Sequence, residues 1–314
     1  MAKLPHWLPV IVSTDHALRI RRVGLDVDEV TSLITLAIAE DLDGGVDVTT
    51  VSTVPHNQRS TMELTARKPG IVSGAIVAAA VIDLVSQHLA EVEVLIPDGV
   101  PVAAGDVIVR ATGSTLSLLT AERTALNFLC HLSGIATATQ EWVKRLEGTN
   151  ARVRDTRKTT PGMRKMEKYA VTCGGGLNHR MSLSDAALIK DNHIVAAGGV
   201  VEAFAAVRRK FPDLSVEVEV DSMDQLKEVV AAGADLVLLD NFTVDQVREA
   251  VEWNAGRAKL EASGGITLDS ARAYAETGVD YIAVGALTHS SPILDIGADL
   301  YDAVNPVPTD ESGV

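Results

Sequence analysis

The sequence predicts an α/β protein that has a (β/α) barrel in its second half and an α+β domain in its first half. Short aliphatic runs recur from residue 186 onward at intervals of about 20 residues, with helical patterns in several of the gaps, which is typical of successive strand–helix units. Only 4% of the residues are aromatic, so the core is built mainly from Ala, Val, Leu and Ile, as in buried parallel strands. Several such units in a row favour a barrel over a doubly wound sheet, and the chain lacks the Gly-x-Gly-x-x-Gly turn of a dinucleotide-binding domain.

The first half of the chain lacks this regular alternation. Amphipathic spacing predicts a first helix over Asp28–Glu40, with Asp28 as its N-cap. The run from Pro101 to Ile108 has the tight turn of a small β-sandwich. In chain order, the other predicted elements are a strand at Arg59–Ala66, a helix at Val77–His88, a strand at Val92–Ile96 and a helix at Leu118–Gly134. We place the first domain at residues 1–126 and the barrel at residues 127–289.

The predicted strands of the second half each end on residues that suit a functional site. In a barrel, the residues at the carboxyl ends of the strands form the active site. Ser222 and Thr243 open two of the intervening helices, and Thr267 begins a third. The strands and their ends are Ala186–Ile189 before Lys190, Val216–Val220 with Glu219 near its end, Leu236–Leu239 before Asp240, Leu260–Ala262 before Ser263-Gly264-Gly265, and Tyr281–Val284 before Gly285.

The glycines at two of these strand ends predict a phosphate-binding site. Glycine lets the backbone approach an anion closely, and the start of a following helix offers free N–H groups. Gly264-Gly265 precedes the helix that Thr267 begins, and Gly285-Ala286 follows the last strand, where barrels commonly bind phosphate. The alternative is that these glycines only close tight turns, and by themselves they indicate no reaction.

Glu217 and Glu219 lie on one face of a single predicted strand, because the side chains of a strand alternate with period two. If the valines between them pack on helices, both carboxylates face the barrel interior, where a charge is costly unless it is paired. Lys190 is the obvious type of partner. We interpret Glu217 as part of an internal ion pair and Glu219, nearer the rim, as functional.

A basic cluster lies between Ala151 and Lys190, where nine basic residues face only three acidic ones, although the whole chain has a formal net charge of −14. An acidic chain is a poor general binder of nucleic acid, so the cluster indicates a small, multiply charged anion. The candidates flank glycines, a proline or a strand end, and they are Arg157, Lys158, His179 and Arg180. The alternative, a solvated basic surface, suits Arg152, Arg164, Lys165 and Lys168.

Other classes of protein are excluded by patterns that the sequence lacks. Cys130 and Cys173 form no Cys-x-x-Cys pair, and the histidines form no HxH or HExxH pattern, so neither a zinc site nor a disulfide framework is expected. The first residues lack the layout of a signal peptide, and the apolar stretch from Gly74 to Ile82 is too short to span a membrane. We therefore expect a cytoplasmic protein with no nucleic-acid or membrane partner.

Four motifs occur together and in order between Asp155 and His193. They are Asp155-Thr-Arg-Lys-Thr-Thr-Pro-Gly-Met-Arg164, Lys168-Tyr-Ala-Val171, Gly174-Gly-Gly-Leu-Asn-His-Arg180 and Leu188-Ile-Lys-Asp-Asn-His193. Other matching segments are Glu122-Arg-Thr-Ala-Leu-Asn127, Ser133-Gly-Ile-Ala-Thr137, Glu217-Val-Glu219, Leu238-Leu-Asp-Asn241, Glu261-Ala-Ser-Gly-Gly-Ile266 and Val284-Gly-Ala-Leu-Thr288. Together they closely resemble the quinolinate phosphoribosyltransferase family over residues 30 to 300.

The resemblance implies a reaction and an architecture. Quinolinate attacks C1 of phosphoribosyl pyrophosphate, pyrophosphate leaves, and the ring loses its 2-carboxylate as CO₂, which gives nicotinate mononucleotide for NAD biosynthesis. Mg²⁺ acts with the pyrophosphate, and no organic cofactor takes part. The barrel is expected to be incomplete, and the first domain to be an α+β sandwich that the segment 290–314 rejoins. The family works as a homodimer, sometimes as a hexamer of dimers.

The resemblance also implies which residues form the site. Arg123 is expected to enter the active site of the neighbouring subunit. Glu219 and Asp240 match an acidic pair near the ribose and the metal ion, which is bound largely through the substrate pyrophosphate. The loops for the 5′-phosphate match Ser263, Gly264, Gly265, Val284, Gly285 and Ala286. The cluster for the quinolinate carboxylates and phosphates matches Thr156, Arg157, Lys158, His179, Arg180 and Lys190. The expected catalytic residues are Lys158, Lys190, Glu219 and Asp240, with Lys190 as an electrostatic partner and not a nucleophile.

Three alternatives remain open at this point. A barrel lyase or aldolase would use Lys190 as a Schiff base beside the phosphate loops. A related phosphoribosyltransferase would act on nicotinate or on a pyrimidine, although the surplus of cations favours a dicarboxylate. A non-catalytic binding or carrier module would depend on the turn between Pro101 and Ile108.

Overall fold

The computed structural model gives the fold of residue 9 and residues 11–302. These residues form two compact units, of which the first ends at Thr137 and resumes at Pro292, and the second comprises Ala138–Ser291. No helix in this described part of the chain is both long and apolar enough to cross a membrane. The domain boundary at residue 126 stays a prediction, and the part of the segment 290–314 that follows residue 302 lies outside the described residues.

Helices and strands are numbered here in chain order. The helices are α1 (Thr14–Arg22), α2 (Val27–Leu42), α3 (Val48–Thr53), α4 (Ala75–Val85), α5 (Thr115–Arg145), α6 (Arg164–Cys173), α7 (Asp191–Ala197), α8 (Val200–Lys210), α9 (Met223–Ala231), α10 (Val244–Asn254), α11 (Leu268–Ala275) and α12 (Ala286–His289). The strands are β1 (Arg59–Ala66), β2 (Gly70–Ile71), β3 (Glu91–Val94), β4 (Pro101–Val102), β5 (Val107–Ser114), β6 (Arg152–Arg154), β7 (Ala187–Ile189), β8 (Val216–Val220), β9 (Leu236–Asp240), β10 (Lys259–Ser263), β11 (Tyr281–Ala283) and β12 (Ile296–Asp302).

The first unit contains a four-stranded antiparallel sheet in the order β12-β1-β5-β3, together with a short pairing of β2 and β4. The strand predicted at Arg59–Ala66 is confirmed at these bounds as β1. β12 pairs with β1 along its whole length, from Ser60 opposite Asp302 to Ala66 opposite Ile296. The chain therefore returns to this unit after the second unit, and the mixture of helices with an antiparallel sheet confirms the predicted α+β class.

Helix α4 is buried along its whole length, including its one charged residue. Ten of its eleven residues are apolar, so no side of the helix favours water. The carboxylate of Asp83 accepts a hydrogen bond from the backbone N–H of Ser13 at 2.9 Å and lies 2.8 Å from Nδ1 of His88, so this buried charge is not left without partners. The helix ends at Val85 and not at the predicted His88, because Gln87 and His88 have left-handed φ values of 55° and 63°.

Two predicted helix ends in the first unit are wrong. Asp26, and not Asp28, is the N-cap of α2, and its side chain accepts from the backbone N–H of Glu29 at 3.0 Å. Helix α5 continues past the predicted end at Gly134 to Arg145. Gly134 lies within this helix because the returning chain leaves no room for a side chain there, since a Cβ would lie 2.1 Å from the carbonyl oxygen of Pro292.

The second unit contains a six-stranded sheet in the order β6-β11-β10-β9-β8-β7, and all of its neighbouring strands are parallel. Helices connect successive strands, as predicted. The predicted N-caps are also confirmed, since the side chains of Ser222, Thr243 and Thr267 each accept from the backbone N–H three residues later. β6 and β7 are the edges and do not pair with each other among the described residues, which agrees with an incomplete barrel.

Candidate active site

The carboxyl ends of the six parallel strands bring most of the predicted site residues to one edge of the sheet. Ser263 lies opposite Asp240 in the register of β10 and β9, and Ile189 lies opposite Val218 in that of β7 and β8. Because these strands run in the same direction, the residues at their ends must share an edge. The predicted residues at this edge are Thr156, Arg157, Lys158, Lys190, Glu219, Asp240, Ser263, Gly264, Gly265, Val284, Gly285 and Ala286. Arg123 lies on α5 in the first unit, where its side chain is exposed.

Lys190 and Glu219 form an ion pair at this edge, with 2.8 Å between Nζ and Oε2. The Lys190 side chain is 46% exposed and that of Glu219 is 14% exposed, so the pair borders open solvent on one side. Lys190 follows the last residue of β7 and therefore lies level with Glu219, one step beyond Val218. This geometry supports the predicted role of Lys190 as an electrostatic partner.

Glu217 is part of an internal ion pair, as predicted, but its predicted partner Lys190 is wrong. Its Oε2 lies 2.7 Å from Nε2 of His179, and its Oε1 lies 3.9 Å from Nη1 of Arg154. Arg154 is also 2.5 Å from Oε2 of the fully buried Glu261. Lys190 is too near the rim to reach this layer, whereas the side chain of Arg154 points into it from β6. Sequence reasoning did not single out Arg154 or Glu261.

The atoms of His179, Glu217 and Glu261 that could ligate a metal lie within 4.8 Å of one another. The guanidinium of Arg154 contacts both carboxylates and already supplies the positive charge of this group. A metal ion there would be repelled by the guanidinium of Arg154, which lies 2.5 Å from Glu261 and 3.9 Å from Glu217. The group is therefore better described as a salt-bridge network than as a metal site.

We expect the raised pKa of Glu261 to make the free energy of unfolding depend on pH. Burial, and next the carboxylate of Glu217, raise the pKa of Glu261 from 4.5 to about 8, against the opposing effect of Arg154. Between these two values the folded protein binds one more proton than the unfolded chain, so its free energy of unfolding falls as the pH rises. Glu261→Gln removes this contribution.

The measurement is urea unfolding of the wild type and Glu261→Gln between about pH 5 and pH 8, the window of the shifted carboxyl group. The advantage of the glutamine variant should grow steadily with pH. Stability curves that stay parallel across this window would show that Glu261 is ionised in the folded protein.

Lys168 is buried, and the prediction of a solvated surface position for it is wrong. Its Nζ donates to Oδ1 of Asp155 and to the carbonyl oxygen of His179, the latter at 2.9 Å. Asp155 also accepts from the backbone N–H of His179 at 2.8 Å. Burial raises the pKa of Asp155 and lowers that of Lys168, while the attraction between the two opposes both shifts. The pair fixes the main chain at His179 beside the basic cluster.

Removing the charge of Lys168 should destabilise the protein strongly. Lys168→Met leaves the Asp155 carboxylate buried without its cation, and breaking such a pair typically costs about 3–5 kcal/mol. Chemical denaturation would measure this loss. Lys227→Met, at an exposed lysine on α9, is the control and should change the free energy of unfolding by less than about 0.5 kcal/mol. Equal small effects for both variants would contradict a stabilising role of the pair.

Two arginines of the basic cluster have buried nitrogen atoms without a partner among the described residues. These atoms are Nε of Arg157 and Nε of Arg180. Burial, and next the positive charge of Arg157, lower the pKa of Arg180, so the two guanidinium groups lie close enough to repel each other. Arg180 donates from Nη1 to the carbonyl of Ala186 at 3.1 Å, which orients it without neutralising it. Half-buried cations that are not paired with carboxylates can bind an anion through paired hydrogen bonds.

The two glycine loops at this edge, after β10 and after β11, each contact the loop that follows a neighbouring strand. The hydroxyl of Thr288 donates to the carbonyl of Lys158 at 2.8 Å, which joins the loop after β6 to the loop after β11. Gly264 has a φ of +98°, and a Cβ there would lie 2.9 Å from the backbone nitrogen of Asn241. Nδ2 of Asn241 in turn donates to Oδ2 of Asp240 at 2.7 Å. Glycine is therefore required at position 264, because a side chain there would collide with Asn241. The hydrogen bond from Asn241 orients the carboxylate of Asp240.

Known proteins are similar to this chain over both units. The family model described as quinolinate phosphoribosyl transferase, C-terminal domain, matches residues 135–299, and the model of the N-terminal domain matches residues 47–133. The nicotinate-nucleotide pyrophosphorylase (carboxylating) of Mycobacterium leprae is 49% identical over 279 residues, which cover 88% of this chain and 98% of that protein. The chain belongs to the quinolinate phosphoribosyltransferase family.

Solved structures of the quinolinate phosphoribosyltransferase family have the same fold. NadC from Streptococcus pyogenes has a TM-score of 0.84 at 38% identity, over 89% of this chain and 99% of that one. The nicotinate-nucleotide pyrophosphorylase from Francisella tularensis has a TM-score of 0.82 at 40% identity, over 87% and 96% of the two chains. The two-domain fold expected for a quinolinate phosphoribosyltransferase is therefore confirmed.

Proposed function

We propose that this chain is a nicotinate-nucleotide pyrophosphorylase (carboxylating), a pentosyltransferase of NAD biosynthesis. It transfers the phosphoribosyl group of phosphoribosyl pyrophosphate to the ring nitrogen of quinolinate. The bond from C1 to the nitrogen forms as the bond from C1 to the pyrophosphate oxygen breaks. The 2-carboxylate then leaves as CO₂, and nicotinate mononucleotide is the product.

The observation that carries this proposal is the pair of half-buried guanidinium groups of Arg157 and Arg180. Their Nε atoms lack partners within the described chain, and burial, and next the positive charge of Arg157, lower the pKa of Arg180. Quinolinate carries two carboxylates, and a guanidinium binds a carboxylate through two parallel hydrogen bonds. Lys158, Lys190 and Thr156 lie at the same edge of the sheet and add further donors. We infer that this cluster binds the quinolinate carboxylates and the substrate phosphates.

The glycine loops and the acidic pair support binding of the second substrate. We infer that the loops at Ser263–Gly265 and Val284–Ala286 bind the 5′-phosphate of phosphoribosyl pyrophosphate through backbone N–H groups. Loss of pyrophosphate leaves positive charge on the ribose ring, which the carboxylates of Glu219 and Asp240 can stabilise. Holding two polyanions in line can lower the barrier by a further amount on the order of 7–11 kcal/mol.

The same acidic pair fits a magnesium ion. Glu219 and Asp240 lie near the ends of the neighbouring strands β8 and β9, and carboxylate oxygens are ligands that Mg²⁺ prefers. Mg²⁺ would neutralise charge on the pyrophosphate, and its other ligands would come mainly from that substrate. After ribosylation the ring nitrogen is cationic and accepts the electron pair left by CO₂, so decarboxylation requires no organic cofactor.

We further propose a cytoplasmic homodimer in which Arg123 enters the active site of the neighbouring subunit. Arg123 is exposed on α5, and its guanidinium has no hydrogen bond or ion pair within the part of the chain that the structure describes. An exposed, unpaired arginine is free to bind an anion on a second copy of the chain.

A product assay tests the proposal. Purified protein would receive phosphoribosyl pyrophosphate and Mg²⁺ with either quinolinate or nicotinate, and mass spectrometry would detect nicotinate mononucleotide. Product from quinolinate alone, with an equal amount of CO₂, is the expected result. Product from nicotinate alone would retain the transferase class and overturn the decarboxylating reaction.

The lyase alternative makes a different prediction. If Lys190 formed a Schiff base, borohydride would trap a covalent adduct with a carbonyl substrate on its Nζ. The 2.8 Å ion pair with Glu219 favours the electrostatic role, so we expect no adduct at Lys190. A trapped adduct would overturn the assignment.

A further inference from the structure

Both ring nitrogens of His179 have partners inside the second unit. Nδ1 lies 2.7 Å from the backbone nitrogen of Arg180, and an amide N–H can only donate, so Nδ1 is the acceptor and carries no hydrogen. The hydrogen of the neutral ring is therefore on Nε2, which lies 2.7 Å from Oε2 of Glu217. The ring is buried, and these two bonds use its hydrogen-bonding capacity in full.

We propose that Glu217 is a positioning residue of the quinolinate site, because it holds the His179 tautomer that accepts from the main chain of Arg180. This inference rests on the proposed function of Arg180 as a carboxylate-binding residue. Glu217 itself contacts no substrate in this scheme, since its side chain is buried and bonded to His179. Its effect passes through the ring to the backbone from which the Arg180 guanidinium projects.

The main chain of His179 is already fixed on both sides. Its N–H donates to Asp155, and its carbonyl accepts from Lys168. The remaining freedom at this position is the rotation and tautomer of the imidazole ring. If the hydrogen moved to Nδ1, that nitrogen would face the N–H of Arg180 as a second donor, and both groups would lose a hydrogen bond. Glu217, the acceptor for the hydrogen on Nε2, therefore stabilises the hydrogen bond from the Arg180 amide to Nδ1.

Glu217 fits this role better than the neighbouring Glu261. The distance from Nε2 of His179 is 2.7 Å to Glu217 but 3.7 Å to Glu261, which is beyond a hydrogen bond. Glu261 is instead bonded to Arg154 at 2.5 Å. Replacing Glu217 also removes the carboxylate that helps to raise the pKa of Glu261. Glu261 can then ionise beside Arg154, so the charge of that guanidinium still has a partner.

The test compares Glu217→Leu, which removes the acceptor, with Glu217→Gln, whose amide oxygen can still accept from Nε2–H. Glu217→Leu should raise the KM for quinolinate about tenfold, the effect of roughly one hydrogen bond, and leave the KM for phosphoribosyl pyrophosphate unchanged. Glu217→Gln should restore both constants to near the wild-type values. Glu261→Gln is the matched control and should leave the quinolinate KM unchanged. If the leucine variant does not fold, Glu217→Asp withdraws the carboxylate from Nε2 while keeping the charge, and it should give the same rise.

The tautomer of His179 provides a second readout that does not depend on turnover. In ¹⁵N-histidine-labelled full-length protein, His179 should show the Nε2–H pattern in the wild type and in Glu217→Gln, and lose it in Glu217→Leu. A quinolinate KM and a tautomer that both survive the leucine change would overturn the proposal. An equal rise of both KM values would assign Glu217 a purely structural role. If the wild type does not use quinolinate, the proposed function fails, and the tautomer and the Arg180 amide resonance still decide whether Glu217 positions this segment.

Discussion

Arg157→Ala is expected to lower kcat/KM for quinolinate by about a hundredfold, because it removes a charge-assisted contact from a partly desolvated site. The fold should survive. The Nε of Arg157 has no partner within the described residues, so the variant loses no internal hydrogen bond at that atom. Steady-state kinetics with quinolinate as the varied substrate would measure the loss, and thermal unfolding would check that the melting temperature is unchanged.

Arg152→Ala is the matched control for this variant. Arg152 belongs to the same basic cluster, and its strand β6 leads into the loop that carries Arg157. It is exposed at the start of β6, away from the carboxyl ends that form the site. Its replacement should leave kcat/KM within about twofold of the wild type, as for most surface changes. Normal turnover by Arg157→Ala would remove this residue from the proposed quinolinate site. A loss shared by both variants would indicate a general effect of positive charge.

Mixing two inactive variants is expected to restore activity if Arg123 works in the neighbouring subunit. Arg123→Ala and Lys158→Ala should each be inactive alone. In a mixed dimer, one of the two active sites receives an intact Arg123 from one chain and an intact Lys158 from the other. Random pairing of equal amounts would therefore return about a quarter of the wild-type activity.

The control for this experiment mixes Arg157→Ala with Lys158→Ala. Both residues lie in the loop after β6, so a mixed dimer has no complete site and should remain inactive. Mass-tagged subunits would verify the exchange in each mixture. A lack of recovery after verified exchange would place Arg123 in the active site of its own chain.

The edge that carries the site could be predicted from the sequence, because it depends on local patterns. Aliphatic runs define the strands, and the residue after each run must lie at the carboxyl end. Lys190, Asp240 and the Gly264-Gly265 loop follow from this rule without knowledge of distant contacts. The family resemblance adds the reaction, and it adds chemical roles that the spacing alone leaves open.

The errors arise where a distant part of the chain decides the outcome. The sequence around Lys168 is typical of a surface lysine and does not indicate a buried cation. Its partners, Asp155 and the carbonyl of His179, lie more than ten residues away along the chain. Gly134 normally weakens a helix, but the close approach of Pro292, far along the chain, requires a glycine there. The partner of Glu217 was misjudged for the same reason, since Arg154 comes from a strand that precedes it by more than sixty residues.

The burial of helix α4 has a consequence for how the protein loses activity on heating. The helix has no exposed side, so any opening of the first unit that releases it presents a nearly uncharged apolar segment to water. Exposed apolar segments of this kind aggregate faster than the unfolded chain refolds. Heat inactivation should therefore end in aggregates that form from the first unit, even though the chemistry belongs to the second. We therefore expect the useful life of the protein in storage to depend on a helix that lies outside the unit of the candidate active site.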